Sequence, residues 1–293
     1  MQLAALVLDH ATADATADAV AALCAGTRTP ERIWVLDNGS GDAERLRARL
    51  ADRATLLRSP DNLGFSGGVN RLLGPALEAG ADVILLVNSD ALVAPGCVAT
   101  LVEVLASHPG IGIVAPALRA PDGRVESEGI AISTATGRIH HPARGRAWAG
   151  GALATTPAVS GCVMAIRREV LDRVGWLRAG FFYALEDVEL CLRAARAGFG
   201  VACARQTFAT HAGALTIGPR SPDRLYYAMR NHLSLLPALG GPPSLAPLRA
   251  TSAVALGLLF AALRSDAPRA AGLLAVAEGV RDHLRGREGP RRP

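Results

Sequence analysis

Between residues 3 and 90 short apolar runs alternate with helical patterns, and this alternation limits the fold more than any other feature. Residues 3–8, 33–36, 55–58 and 83–87 read as strands; residues 13–23, 43–51 and 69–79 read as helices between them. Strands separated by crossover helices pair in parallel, so the chain predicts an α/β, Rossmann-like, mostly parallel sheet with helices on both faces. Ligands bind such sheets beyond the C-terminal strand ends. Asp9, Asp37 and the run Asn88-Ser89-Asp90 all stand at those ends.

The rest of the chain extends this plan. Residues 159–167 resume an apolar strand pattern, and 201–204 form a further expected strand. Val188, Cys191, Leu192 and Ala195 fall at helical spacing, with Gly198 as the stop. Residues 116–158 are rich in Gly and Arg with little periodicity, which predicts loops and short strands. After Pro219 the pattern is helical, broken by a Gly/Pro-rich stretch at 237–247. The expected organisation is a main domain over 1–219, with halves 1–115 and 116–219, and a C-terminal α-helical extension over 220–293.

Half of the 293 residues are apolar, enough for a sizeable core. The formal net charge is +5, and much of the surplus lies between Arg281 and Arg292. A basic tail suits anionic partners or simple solubility. No basic stripe interleaved with aromatics is present, which argues against nucleic acid recognition. The five cysteines are scattered and lack CxxC spacing, so reduced, mostly buried thiols are expected in a cytoplasmic protein. The N-terminus has no basic n-region, and Asp9 interrupts its apolar run, so no signal peptide is expected. The longest apolar stretch, 253–263, is shorter than the ~20 helical residues a bilayer needs.

Several segments carry chemistry. Asp37-Asn38-Gly39-Ser40 follows a strand: Asn-Gly favours positive φ, so a plain turn accounts for it, while Asp37 could also accept from a base imide N–H. The run from Asn62 through Gly64, Phe65, Gly67 and Gly68 to Asn70 lets backbone approach a ligand just before a helix N-terminus, where phosphate is favoured. It lacks the Walker Gly-Lys-Ser/Thr end and the dinucleotide spacing. In Asn88-Ser89-Asp90 the Asn88 carbonyl and the Asp90 carboxylate can both face one hard cation; a turn or cap is the plain alternative. Glu186 and Asp187 open a helix behind Phe181-Phe182-Tyr183. Acids there satisfy free N–H groups, and an apolar wall can also raise a carboxylate pKa toward that of a useful base. Asp187 is the favoured base, with Glu186 its structural or acceptor-binding neighbour. His211 follows an expected strand and could complement Asp90 as a metal ligand.

In this order the segments resemble bacterial family 2 glycosyltransferases, especially the rhamnosyltransferase-like branch, from about residue 3 to about residue 236. The matching pieces are Asp37 to Ser40, Asn62 to Asn70, Asn88 to Asp90, Ser160 to Arg167, Phe181 to Leu190, His211 and Tyr226 to Asn231. The resemblance implies a GT-A fold whose half 1–115 binds a nucleotide sugar and whose half 116–219 binds the acceptor. Asp9, Asp37, Asn38, Asn62, Gly64, Phe65, Gly68, Asn70, Asn88 and Ser89 are then expected at the donor. Asp90 and His211 would hold Mg2+ or Mn2+, and Asp187 would deprotonate the acceptor hydroxyl in an inverting displacement. Ser89 replaces the family's Pro, Asp9 its common Asn, and Leu177-Arg178-Ala179-Gly180 its Phe-Asp-Glu.

The expected donor is a thymidine or uridine diphosphate sugar, with rhamnose the branch-level expectation. The expected acceptor is a glycan or lipid-linked hydroxyl in cell-surface polysaccharide or glycolipid synthesis. A non-catalytic sugar-nucleotide scaffold would not need Asp187, Glu186 and His211 together. A nucleotidyltransferase should show a basic Gly-rich loop where Leu8-Asp9-His10-Ala11-Thr12 stands. Leu256, Leu259, Phe260 and Leu263 share a helical face that suits the inner surface of the membrane, the catalytic domain or a second copy in a homodimer.

Overall fold

The computed structural model describes residues 1–212, 218, 221–263 and 266–292. The expected boundary at 219/220 falls outside them. The N-terminal half runs β1 (Leu3–Asp9), α1 (Ala13–Cys24), β2 (Arg32–Asn38), α2 (Ala43–Leu50), β3 (Thr55–Ser59), α3 (Gly64–Glu78) and β4 (Val83–Asn88). Its strands pair in parallel in the order β3-β2-β1-β4. Asp9 lies opposite Asp37 and Leu8 opposite Asn88, so the strand-end residues reach one edge together.

The second half begins with β5 (Ala91–Val93), α4 (Cys97–Ser107) and β6 (Ile111–Arg119). Short strands follow: β7 (Val125–Ser127), the hairpin β8 (Ala131–Ile132) and β9 (Ile139–His140), and β10 (Leu153–Thr155). Then come β11 (Val163–Arg167), α5 (Arg168–Val174), α6 (Glu186–Arg196) and β12 (Gly200–His211). β11 inserts antiparallel between β4 and β6, and β12 pairs parallel to β6. The parallel order expected from helix crossovers thus holds as far as β4, and the sheet beyond it is mixed.

Alternation along the strands builds two cores. Val83, Leu85 and Val87 face α1, α2 and α4, while Ile84 and Leu86 face α3, α5 and α6. Four of the five cysteines are buried, and all five are free.

Three expectations change. α3 starts at Gly64 and not at 69, so Gly67 and Gly68 lie within the helix and not in a loop before it. A Cβ on Gly68 would overlap the Leu8 side chain: glycine there lets the helix lie flush on β1. Instead of stopping at 204, β12 runs to His211, through a register shift between Ala204 and Phe208. The bulge keeps the second half of the strand paired and carries His211 to the Ala91 position of β5. The third change concerns membrane length. α8 (Ala246–Leu263) lies within an apolar stretch, Pro243–Leu263, of 21 residues and mean hydropathy 1.6, which length and composition alone would allow to cross a bilayer. Thr251 and Ser252 extend the helix before the 253–263 run. Only 17% of its most apolar window is buried.

α7 (Pro222–Leu235), α8 and α9 (Arg269–Leu284) pack into the C-terminal helical extension. Ser221 caps α7 by accepting from the Asp223 N–H.

Candidate active site

A cavity of about 230 Å3 opens where the C-terminal ends of β1, β2 and β4 meet the loop before α6. Leu8 and His10 line it from β1 and its turn, Asn38 from β2, and Asn62, Gly64 and Phe65 from the start of α3. Asn88, Ser89 and Asp90 enter from β4, Phe182 and Tyr183 from the loop, His211 from β12 and Arg224 from α7.

One corner has the chemistry of a cation site. His211 Nε2 lies 3.3 Å from Asp90 Oδ1, and His211 Nδ1 lies 2.8 Å from Glu126 Oε2 on β7. A carboxylate on the far nitrogen fixes the tautomer and aims the near one. Burial opposes the imidazolium, but the bonds to Asp90, Cys162 and Glu126 outweigh it and push the His211 pKa up to about 12. Asn88 Oδ1 is buried and unbonded, an oxygen left free beside this pair. Among the described residues no group of three or more His, Cys, Asp or Glu side chains is arranged as metal ligands. A hard divalent cation taking the place of the proton between His211 and Asp90 would find their nitrogen and carboxylate with that free oxygen, and would take its remaining ligands from a diphosphate.

The acid pair stands close by. Asp187 Oδ2 accepts from the Gly161 N–H at 2.8 Å, and Oδ1 accepts from the Val188 N–H at 2.7 Å. The next residue, Cys162, accepts from the Asn88 N–H at 2.8 Å, so two residues of backbone join the base candidate to the cation corner. Neither acid lines the cavity itself. Burial raises both carboxyls, and the two backbone donors oppose this at Asp187. Glu186 is 7% exposed with Oε2 unbonded; burial and the Asp187 charge push it up to about 8. Glu186 therefore holds a proton at neutral pH, while at Asp187 the Gly161 and Val188 N–H groups favour the carboxylate against the burial that raises it.

Other expected donor residues are placed apart from the cavity. Asp9 is fully buried: Oδ1 accepts from Thr12 and Thr16 at 3.0 and 2.5 Å, and Thr12 also reaches Ser89 Oγ. Burial raises its pKa despite those bonds. Asp37 Oδ1 accepts from the Ser40 N–H and hydroxyl, and its Oδ2 lies 3.9 Å from Arg58 Nε. Asn70 spends its amide on Leu177, donating to the carbonyl at 2.7 Å and accepting from the N–H at 3.1 Å. Asn70 and Gly68 stand within α3, Asn70 bonded to Leu177 and Gly68 against Leu8, because the helix begins earlier than its sequence suggests.

Asn38 is spent on shaping the α3 entrance. It donates to Asn62 Oδ1 and the Gly64 carbonyl and accepts from the Leu63 N–H. Gly64 has φ +71°, and a Cβ there would overlap the Phe182 carbonyl and ring. His10, Arg224, Glu126 and Cys162 were invisible to motif reading. Glu126 lies in the aperiodic middle of the sequence, where only the β6–β7 pairing brings it to His211.

The chain has the GT-A fold of its structural neighbours. It superimposes on a mannosyltransferase from Pyrobaculum calidifontis solved with GDP-Man and Mn2+, with a TM-score of 0.61 and 18% identity over 98% of this chain and 88% of that one. S. aureus TarS 1-349 in complex with UDP-GlcNAc gives 0.53 and 14% over 98% and 74%. The model for "Glycosyltransferase like family 2" matches residues 36–232, and the chain belongs to that family. An N-acetylglucosaminyl-diphospho-decaprenol L-rhamnosyltransferase of Mycobacterium tuberculosis is 26% identical over 202 residues, 61% of this chain and 66% of that protein. The chain therefore spans just under two thirds of the length of that relative.

Proposed function

We propose that this glycosyltransferase moves a sugar, with inversion, from a thymidine or uridine diphosphate to a hydroxyl of a lipid-linked or glycan acceptor in cell-surface synthesis. The observation that carries the reading is the short backbone path from Asp187, through Gly161 and Cys162, to Asn88 and the Asp90–His211 pair. The mycobacterial relative transfers rhamnose to a diphospholipid, which supports rhamnose as the sugar and a polyprenyl diphosphate sugar as the acceptor.

The diphosphate lies in the cavity against Asn88, Ser89 and the start of α3, and the base end runs past Asn38 toward Asp37. Asp90 and His211 would hold Mg2+ or Mn2+, which would supply charge stabilisation to the leaving diphosphate. The acceptor oxygen attacks the anomeric carbon as the carbon–phosphate-oxygen bond breaks. Its proton passes to Asp187, and the nucleoside diphosphate departs. Glu186, already protonated, does not compete for that proton.

Asp187→Asn is expected to lose at least ~1000-fold in turnover while its calorimetric affinity for the nucleotide stays within about threefold. Turnover equal to wild type would remove Asp187 from the base role.

Residues 246–293 carry eight arginines against four acids, a net +4 of the whole chain's +5. Leu256, Leu259, Phe260 and Leu263 of α8 and Leu273, Leu274 and Leu284 of α9 are exposed. Arg281 falls at helical spacing on the Leu273–Leu284 face. An apolar face with cations beside it suits an anionic membrane, where a lipid-linked acceptor resides. Cosedimentation with phosphatidylglycerol vesicles is expected for the wild type and lost in Leu259→Glu/Phe260→Glu. Equal binding by both would dismiss this contact.

A further inference from the structure

The loop between residues 180 and 185 is strained. Phe182, Ala184 and Leu185 have φ of +61°, +69° and +68°, a region L-residues enter at roughly 1–2 kcal/mol each. Such a backbone persists only when its surroundings dictate it. Here the loop supplies Phe182 and Tyr183 to the cavity and leads directly into Glu186 and Asp187.

Two buried side chains of α7 hold it. Asn231 Nδ2 donates to the carbonyls of Phe181, Tyr183 and Ala184 at 2.9, 2.7 and 2.8 Å. Arg230 Nη2 donates to the Gly180 and Phe181 carbonyls at 3.1 and 2.9 Å, and its Nε orients the Asn231 amide through Oδ1 at 3.0 Å. Arg230 is 1% exposed and forms no ion pair with a carboxylate among the described residues. A buried guanidinium without a carboxylate is costly, so its retention points to the carbonyl fork it serves.

The chain's last segment closes over this arrangement. Arg230 Nη1 donates to the Gly289 carbonyl at 2.6 Å, and the Gly289 N–H donates to the Gly180 carbonyl at 2.9 Å. The Arg291 N–H donates to Tyr227 Oη at 2.7 Å, and the Arg291 guanidinium pairs with Asp223 and Glu278 at 2.6 and 2.5 Å. The Tyr227 ring stacks on Phe182 at 5.4 Å and meets Tyr183 edge-on at 6.0 Å. Phe182 in turn accepts from the Phe65 N–H, linking the loop to the start of α3.

We propose that Arg230, Asn231 and the tail around Gly289 and Arg291 are positioning groups: they hold the strained loop so that Phe182 and Tyr183 wall the cavity and Asp187 stays in place. The basic tail is then a strap on the active site, beyond any role in charge. The consequence for turnover rests on the transferase reading; the consequence for loop order does not.

The test uses the full chain, with Asn231→Asp replacing the donor by an isosteric acceptor and Arg291→Ala releasing the tail. Amide exchange over residues 180–188 should quicken at least about tenfold in Asn231→Asp and about threefold in Arg291→Ala, with β4 unchanged. Turnover per folded molecule should fall at least about fivefold in both, and Arg291→Lys should recover most of it. Unchanged exchange in the loop, or a loosened loop with wild-type turnover, overturns the proposal. Arg291→Ala decides it if Asn231→Asp does not fold. If wild-type protein transfers no sugar, the function fails and loop exchange alone decides the positioning role.

Discussion

Glu186→Gln isolates a single buried proton. The unfolded Glu186 carboxyl has a pKa of 4.5, and burial beside Asp187 moves it to about 8 in the folded chain. Between these values the folded state holds a proton that the unfolded state has released, so stability falls as pH rises. The slope is about 1.4 kcal/mol per pH unit, and the full span sets a ceiling of about 5 kcal/mol. The α6 dipole favours the charged form at this first helical position by no more than ~1 kcal/mol and only trims the effect. Gln keeps the shape and carries no titrating proton. The variant should match wild type near pH 5 and exceed it by about 3–4 kcal/mol near pH 9, read from urea unfolding at several pH values. Asp9 titrates in both proteins and cancels in the difference between the two curves, which reports the Glu186–Asp187 pair. A difference that stays flat from pH 5 to pH 9 would refute the buried, protonated state. Turnover adds a second check: near pH 7, Glu186→Gln should keep most of it, and its loss would reverse the roles given to the two acids.

Two further predictions concern glycines and the cation corner. Gly64→Ala should cost about 3 kcal/mol or more by calorimetry, because positive φ and overlap with the Phe182 carbonyl add. Gly68→Ala meets only the flexible end of Leu8 and gains ~1 kcal/mol of helix propensity, so its net cost should stay below ~2 kcal/mol. Equal costs would contradict the packing described. Glu126→Gln should weaken Mn2+ binding about tenfold in the presence of UDP, measured as free Mn2+ by electron paramagnetic resonance. Unchanged affinity would leave His211 oriented without Glu126.

Much of the site was legible because short motifs fall at strand ends. The apolar runs at 3–8, 33–36 and 83–87 fix parallel strands by local pattern alone, and that pattern brings Asn38, Asn88 and Asp90 to one edge. The order of motifs also pointed to the family before any coordinates. Helix bounds were less legible where glycine also serves packing: Gly64 lines the cavity and makes room for Phe182, and Gly68 makes room for Leu8 from inside α3.

The sequence by itself determined the parallel half of the sheet and the residue types at its edge, since the apolar and helical patterns that specify them are each read within a few residues, although the strands they pair lie far apart. Only the tertiary structure decided that Glu126 braces His211, that Asn70 serves Leu177, and that Arg230, Asn231 and the tail secure the aromatic loop. These pairs lie 85, 107, 50 and 48 positions apart. Local pattern carries no signal at such separations: what joins the partners is a strand register, a helix packing angle and the return of the chain's end across the fold.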